Sequence, residues 1–327
     1  MDSGRSEVNL AQFKDHFDLI NEELYKVFNS RVPVVEEIGR HALLGNGKRL
    51  RPLIFILSCE LCHYRQDDRY HLSTIFEYIH TASLLHDDVL DNAELRRNRP
   101  SANQIWGSHA AVLEGDFLFS KAMAIATGTG SVPFLEKIAD TVIQMTEGQI
   151  LELVNTDNWY MDRDLYMEII TAKTAMLMST ACTCGAIISG ADRETTESLA
   201  RFGLCAGIAF QLIDDLLDYT STREVFGKPV GKDLREGKVT LPLIYTLEQL
   251  ETKEQKRLKG LFRDHGHAEE DIRYVMDLVR NTGAIERVLE EARAHVDKAV
   301  ESLNLFSDSP TKRDLVVLSR HIIDRTK

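Results

Sequence analysis

Between Phe134 and Lys228 the chain contains no proline. A stretch that long without the residue that breaks helices predicts long helices rather than many short strands. Apolar residues recur at intervals of three and four along most of the chain, and alternation of period two never lasts beyond a few residues. Val112–Ala126, with Leu113, Phe117, Leu118, Met123 and Ala124, reads as a buried helix. So does Leu165–Ile188, with Ile169, Ile170, Leu177, Met178, Ala181, Ile187 and Ile188. Ile285–Val300 reads as a surface amphipathic helix, its apolar side carried by Val288, Leu289, Ala292, Val296 and Val300. Breaks are short, at Gly45–Gly47, Asn98–Pro100, Gly128–Gly130 and Asn155–Asn158. The one long irregular segment, Thr220–Thr240, holds Gly227, Pro229, Gly231 and Gly237 among Lys228, Lys232 and Lys238. No low-complexity linker divides the 327 residues, so the expected fold is all-α, a single domain 1–327 of ten or more helices.

Charge and cysteine usage remove whole classes of function. Acidic side chains outnumber basic ones by 51 to 39, a net charge of −12, which argues against bulk nucleic-acid binding but leaves room for local basic patches. Met1–Leu10 has no apolar core behind a basic flank, so no secretory signal is expected. No run of eighteen or more apolar residues predicts a transmembrane segment. Cys59 and Cys62 form a CxxC pair inside the apolar run Pro52–Cys62, and no second CxxC completes a zinc set. With Cys182, Cys184 and Cys205 they are expected to be buried thiols, in a protein of the reducing cytoplasm.

The strongest chemical signal occurs twice. Asp87, Asp88 and Asp91 form a DDxxD, and Asp214, Asp215 and Asp218 form another. On a helix the members of each triplet fall near 0°, 100° and 40°, so three carboxylates crowd one face. They repel one another and raise each other's pKa unless a cation neutralises them. A lone DDxxD fits a solvated acidic face as well as a metal site. Two copies of identical spacing, each behind an apolar helix, favour a hard divalent cation, and Mg²⁺ suits oxygen ligands and phosphate best. No EF-hand loop is present.

Cations accompany the acids. Gly45–Pro52 places Lys48, Arg49 and Arg51 on a glycine-loosened turn before a helix, a setting that offers donors to an anion. Arg96 and Arg97 follow the first triplet, and guanidinium forks match phosphate oxygens. The turn is not a P-loop, because GxxxxGK[ST] is absent. His80 lies about 20° off the face of Asp87, and Gln211 projects between Asp214 and Asp215. Alone each would read as a satisfied core group; aligned with an acidic stripe, each reads as a ligand-facing residue. Acidic metal sites beside basic turns imply a substrate that carries diphosphate.

From Gly45 to Arg325 the chain resembles the trans-isoprenyl diphosphate synthases. The ordered combination that carries the resemblance is GNGKRLRP, HTASLLHDDVLD, the arginine pair, AVLEGDFLF, GQILEL, Lys173–Thr174, FQLIDDLLDY and GKPVGKDLREGKVTLP. It implies helices around a deep central cavity, usually in a homodimer. It also implies that Asp87, Asp88, Asp91, Asp214, Asp215 and Asp218 are ligands of Mg²⁺ holding an allylic diphosphate such as farnesyl diphosphate, with three ions per site once substrate is bound. Asp88 and Asp215 are expected to act partly through water. Lys48, Arg51, His80 and Arg97 resemble the pocket for isopentenyl diphosphate. Arg96, Lys173, Thr174, Gln211, Lys228 and Lys238 resemble the clamp on the allylic side. Asn98 and Asn46 stand where the family often has glycine, with small effects expected on the two turns. The implied reaction ionises the allylic C–O bond, adds isopentenyl diphosphate to the carbocation and loses a proton. Closure of Thr220–Thr240 would exclude water from the cation.

Product length is expected to follow from what lies one turn deeper than the first triplet. Ser83 projects onto that stripe and Ala82 flanks it; short-chain relatives typically carry a bulky aromatic at one of these positions. Two small residues resemble the long-chain synthases that make quinone side chains, although simple helix packing also accounts for small residues there. Three further readings stay open: a synthase of short or medium products, a class I terpene cyclase, and a non-catalytic subunit of a heteromeric synthase. A cyclase would normally replace the second DDxxD and lack the basic turn, and such subunits tend to lose aspartates. A long product is insoluble in water, so transient contact with a membrane surface is expected at release.

Overall fold

The computed structural model describes residues 10–26, 30–43, 47–220, 231–261 and 268–324. The fold is all-α, as the missing prolines and the three–four periodicity require. Its longest helices are Asp68–Leu90, Ser108–Gly128, Val132–Val154 and Arg193–Thr220. The sole strand pairing among the described residues is a two-residue hairpin, Leu95–Arg96 against Arg99–Pro100. No helix among the described residues is long and apolar enough to cross a membrane.

The chain divides into two compact units. One takes in Met1–Val142, Leu177–Gly203 and Ser302–Leu318; the other takes in Ile143–Met176, Leu204–Glu301 and Ser319–Lys327. In the first, helix Leu50–Leu61 is buried at every position from Pro52 to Cys59, so it shows no amphipathic stripe. Helix Asp68–Leu90 packs against it and, more extensively, against helix Ser108–Gly128. In the second, Leu241–Gln249 is buried from Leu241 to Leu247. Glu269–Asn281 and Ala284–Ser302 turn apolar faces inward, through Ile272, Val275, Met276 and Val279 and through Val288, Ala292 and Val296. The amphipathic reading of the latter helix therefore holds.

One expected core face holds only in part: Leu118 is buried as read, but Leu113 and Ala124 are not. Leu113 is 67% exposed, whereas the buried face of Ser108–Gly128 consists of Ala111, Glu114, Gly115, Leu118, Ala122 and Ala126. Four of the six inward residues are alanine or glycine, because this helix lies close against Asp68–Leu90. The cysteines are all free, with Cys59, Cys182, Cys184 and Cys205 buried and Cys62 partly so. Burial pushes the Cys62 thiol up to about 11 and the Cys182 thiol up to about 12, which keeps them protonated and unreactive.

Glu114 is the costly member of its face. It is 2% exposed, neither carboxyl oxygen has a hydrogen-bond partner, and burial pushes its pKa up to about 7. The folded state thus binds a proton that the unfolded state releases at lower pH. Stability is lost as pH rises from about 4.5 through 7, by up to about 3 kcal/mol. Glu114→Gln is expected to flatten that slope in urea unfolding between pH 5 and pH 8. An unchanged slope would show that Glu114 is not its source.

Candidate active site

Both aspartate triplets sit at the C-terminal ends of their helices. Asp91 is the C-cap of Asp68–Leu90, its N–H bonded to the Asp87 carbonyl, and neither this helix nor Arg193–Thr220 has a basic residue in its last turn. A helix C-terminus already carries partial negative charge, so acids there are destabilising by roughly 0.3–1 kcal/mol each. Positive charge must come from elsewhere.

Within the first triplet the three acids differ. Asp88 is 3% exposed and is gripped by Arg96, whose Nε donates to both carboxylate oxygens at 2.9 and 3.1 Å. Arg96 can reach back because the hairpin turns on Arg97 and Asn98, both with positive φ (52° and 62°), the geometry of a type I′ turn. Asparagine tolerates this conformation, which explains why a position often glycine in the resembled family accepts Asn98. Arginine does not tolerate it well, so Arg97 holds backbone strain of order 1–2 kcal/mol. Asp87 is half-buried and Asp91 exposed.

Around the hairpin the cations gather. His80 is held neutral, well below the usual imidazole range, by burial and by the guanidinium groups of Arg51, Arg97, Arg96 and Arg49. A Cβ at Gly47 would lie 2.9 Å from Arg97 Nη1, so the basic turn runs directly against the arginine pair. Lys48 lies exposed beside them. Arg49, read in the sequence as part of this basic turn, points inward instead: its Nη1 donates to Glu77 at 2.6 Å and its Nε to Asn21 at 3.1 Å. Asn46 lies outside the described residues.

The second triplet is supported from three sides. Gln211 Nε2 donates to Asp215 Oδ1 and Tyr166 Oη donates to Asp215 Oδ2, each at 2.6 Å. Thr174 Oγ1 donates to Gln211 Oε1 at 3.0 Å. Asp218 accepts the backbone N–H groups of Lys232 and Asp233 at 3.1 and 2.9 Å, which anchors the short helix Lys232–Arg235. Lys173 and Thr174 lie on a π-helical turn, Thr171–Ala175, between helices Arg163–Ile170 and Met176–Ile188. Such turns recur at functional sites because they re-aim side chains. Helix Val132–Val154 closes on this turn at Gly148, where a Cβ would lie 2.8 Å from the Lys173 backbone nitrogen. Lys173 pairs with Glu152, and Lys238 Nζ pairs with Glu236 at 2.8 Å. Lys228 lies outside the described residues.

Mg²⁺ fits these donors. Burial and neighbouring acids push Asp215 up to about 7 and raise Asp218, against the hydrogen bonds that favour their charged forms. A divalent cation removes that penalty. No three His, Cys, Asp or Glu groups among the described residues are assembled to hold a metal alone.

Sequence reasoning missed Glu152, Glu236 and Tyr166. Glu152 lies inside GQILEL, but its pairing with Lys173 depends on the π turn, which leaves no periodic trace. Tyr166 is 49 positions from Asp215 and has no local signature.

Comparison with known proteins places this geometry. A family model described as polyprenyl synthetase matches residues 32–279. The chain is 34% identical to the octaprenyl diphosphate synthase of Escherichia coli K12 over 308 residues, covering 94% of this chain and 95% of that one. Among solved structures, it is similar to a polyprenyl synthase from Caulobacter crescentus CB15 complexed with calcium and isoprenyl diphosphate (TM-score 0.93, 34% identity, all of both chains). It is also similar to a decaprenyl diphosphate synthase from Rhodobacter capsulatus (TM-score 0.91, 32% identity, 97% and 98% covered).

Proposed function

The chain belongs to the polyprenyl synthetase family and is a prenyltransferase, and on that premise we propose that it makes a long-chain all-trans polyprenyl diphosphate. The observation that carries the product length is the small pair Ala82 and Ser83 one turn before Asp87, joined by similarity to octaprenyl and decaprenyl enzymes. The family match takes in residues of both compact units, which supports reading 1–327 as one catalytic domain.

Asp87, Asp91, Asp214 and Asp218 are the proposed ligands of Mg²⁺, three ions per site with substrate bound; Asp88 and Asp215 act through their protein partners and water. With those ions bound, the negative charge that grows on departing pyrophosphate is neutralised. The chain's own cations and hydrogen-bond donors do the rest. Arg51, His80, Arg97 and Lys48 receive isopentenyl diphosphate, a role supported by their electropositive cluster. Lys173 and Lys238 exchange Glu152 and Glu236 for the allylic diphosphate, so their charges stay compensated before substrate arrives. Asp215 orients the Gln211 amide, and Gln211 Oε1 in turn accepts the hydrogen bond that the Thr174 hydroxyl donates. The Thr174 oxygen is thereby left with free lone pairs beside Lys173. A homodimer is supported by the exposed apolar residues Ile143, Ile150, Leu153 and Val154, 55–70% accessible on helix Val132–Val154. The cytoplasm is the proposed compartment.

Incubation with Mg²⁺, farnesyl diphosphate and isopentenyl diphosphate, followed by sizing of the extracted prenyl products, tests the reading. Products much longer than geranylgeranyl are expected, and a ladder ending there would refute the long-chain assignment. Ala82 is buried, so the ring in Ala82→Phe must displace either neighbouring helices or the growing chain. Shorter products at near-normal thermal stability are expected; an unchanged ladder would remove Ala82 from length control.

A further inference from the structure

Asp215 accepts one side-chain donor on each oxygen, and the two donors come from different helices. Gln211 lies four residues before it on the same helix, so that bond comes with the helical repeat. Tyr166 is different. It comes from helix Arg163–Ile170, is 3% exposed, and its hydroxyl reaches Asp215 Oδ2 at 2.6 Å. The same helix continues through the π turn to Lys173 and Thr174, and Thr174 bonds Gln211 at 3.0 Å. Two ties, eight residues apart on one side and four apart on the other, therefore fix the register between the helix carrying Lys173 and the helix carrying the second triplet. Asp214 is the next residue on that helix, so whatever holds Asp215 in place also fixes where the proposed metal ligand Asp214 stands.

We propose that Tyr166 is a positioning residue: acting only through Asp215, its hydroxyl sets Asp214 and Lys173 at the spacing that one Mg²⁺-bound diphosphate requires. The inference rests on the prenyltransferase reading. Arg96 does for Asp88 in the first triplet what Tyr166 does for Asp215, so in each motif the middle aspartate serves as an anchor. The first anchor comes from a hairpin eight residues downstream; the second comes from a different helix, and only the latter couples metal ligand to diphosphate clamp.

The test is Tyr166→Phe, which deletes one hydroxyl and no volume. Calorimetric binding of inorganic pyrophosphate in the presence of Mg²⁺ is expected to weaken about tenfold, the size of one hydrogen bond to a charged group. KM for farnesyl diphosphate is expected to rise while KM for isopentenyl diphosphate stays within twofold. Tyr245→Phe is the control, because Tyr245 makes the same kind of bond to Glu291 away from the triplets. It should lower thermal stability and leave pyrophosphate binding alone. In an Asp215→Asn background, Tyr166→Phe should cost no further affinity; additive losses would overturn the idea that Tyr166 works through Asp215. Wild-type pyrophosphate affinity in Tyr166→Phe would overturn it too. Failure of the wild-type protein itself to elongate farnesyl diphosphate would instead sink the functional reading.

Discussion

Replacing Asp87 by alanine is expected to lower turnover by about 10³-fold or more while leaving the fold intact. Asp87 is half-buried at the end of helix Asp68–Leu90, and its carboxylate is not the one that Arg96 grips. Its removal takes away a proposed metal ligand and leaves the Arg96–Asp88 pair in place. In the absence of metal the variant should be as stable as wild type or slightly more so, because one of three repelling acids leaves a helix C-terminus. Mg²⁺ with pyrophosphate should raise the Tm of wild type but not of Asp87→Ala, by ordinary ligand linkage. Asp214→Ala is expected to behave the same way. Near-normal turnover in either variant would remove the triplets from the chemistry.

Glu77→Ala is expected to be the most damaging single change to stability. Arg49 and Glu77 are 5% and 4% exposed and face each other at 2.6 Å. Loss of the carboxylate strands a guanidinium inside the protein, which costs about 3–5 kcal/mol. Urea unfolding measures it. A paired replacement, Arg49→Met with Glu77→Leu, should recover most of the loss, since two matched apolar groups need no compensation. If the double variant is no better than Glu77→Ala, the cost lies in packing and not in the stranded charge. Beyond stability, Glu77 is the acid that partly offsets Arg49 and Arg97 around His80.

Local information accounts for much of this protein. Period and proline are short-range properties, so helices such as Ser108–Gly128 and Ala284–Ser302 are legible, as are two triplets whose members are neighbours on one helix. The identity of the inward face was less so. Leu113 reads as core on hydrophobicity, as Leu118 does, yet the closeness of two helices buries Ala111 and Gly115 beside Leu118 and leaves Leu113 outside. Gly115 makes the point sharply: the His86 ring lies where its Cβ would be, 2.3 Å from Nε2. The glycine of AVLEGDFLF thus makes room for the residue that precedes Asp87, a reason absent from either motif alone.

The basic turn shows the same division. Three cations within four residues announce an anion site, but nothing in Lys48, Arg49 and Arg51 says that the middle one turns toward Glu77. Nor does DDxxD distinguish the acid that meets Arg96 from its two neighbours. By itself the sequence determined the all-helical class, the two acidic triplets, the basic turns and hence the diphosphate chemistry, because each is written in residues a few positions apart. Tertiary structure alone decided which charges are spent inside the protein. A buried charge persists only beside a partner, and Glu77, Tyr166 and Glu152 reach theirs from distant parts of the chain.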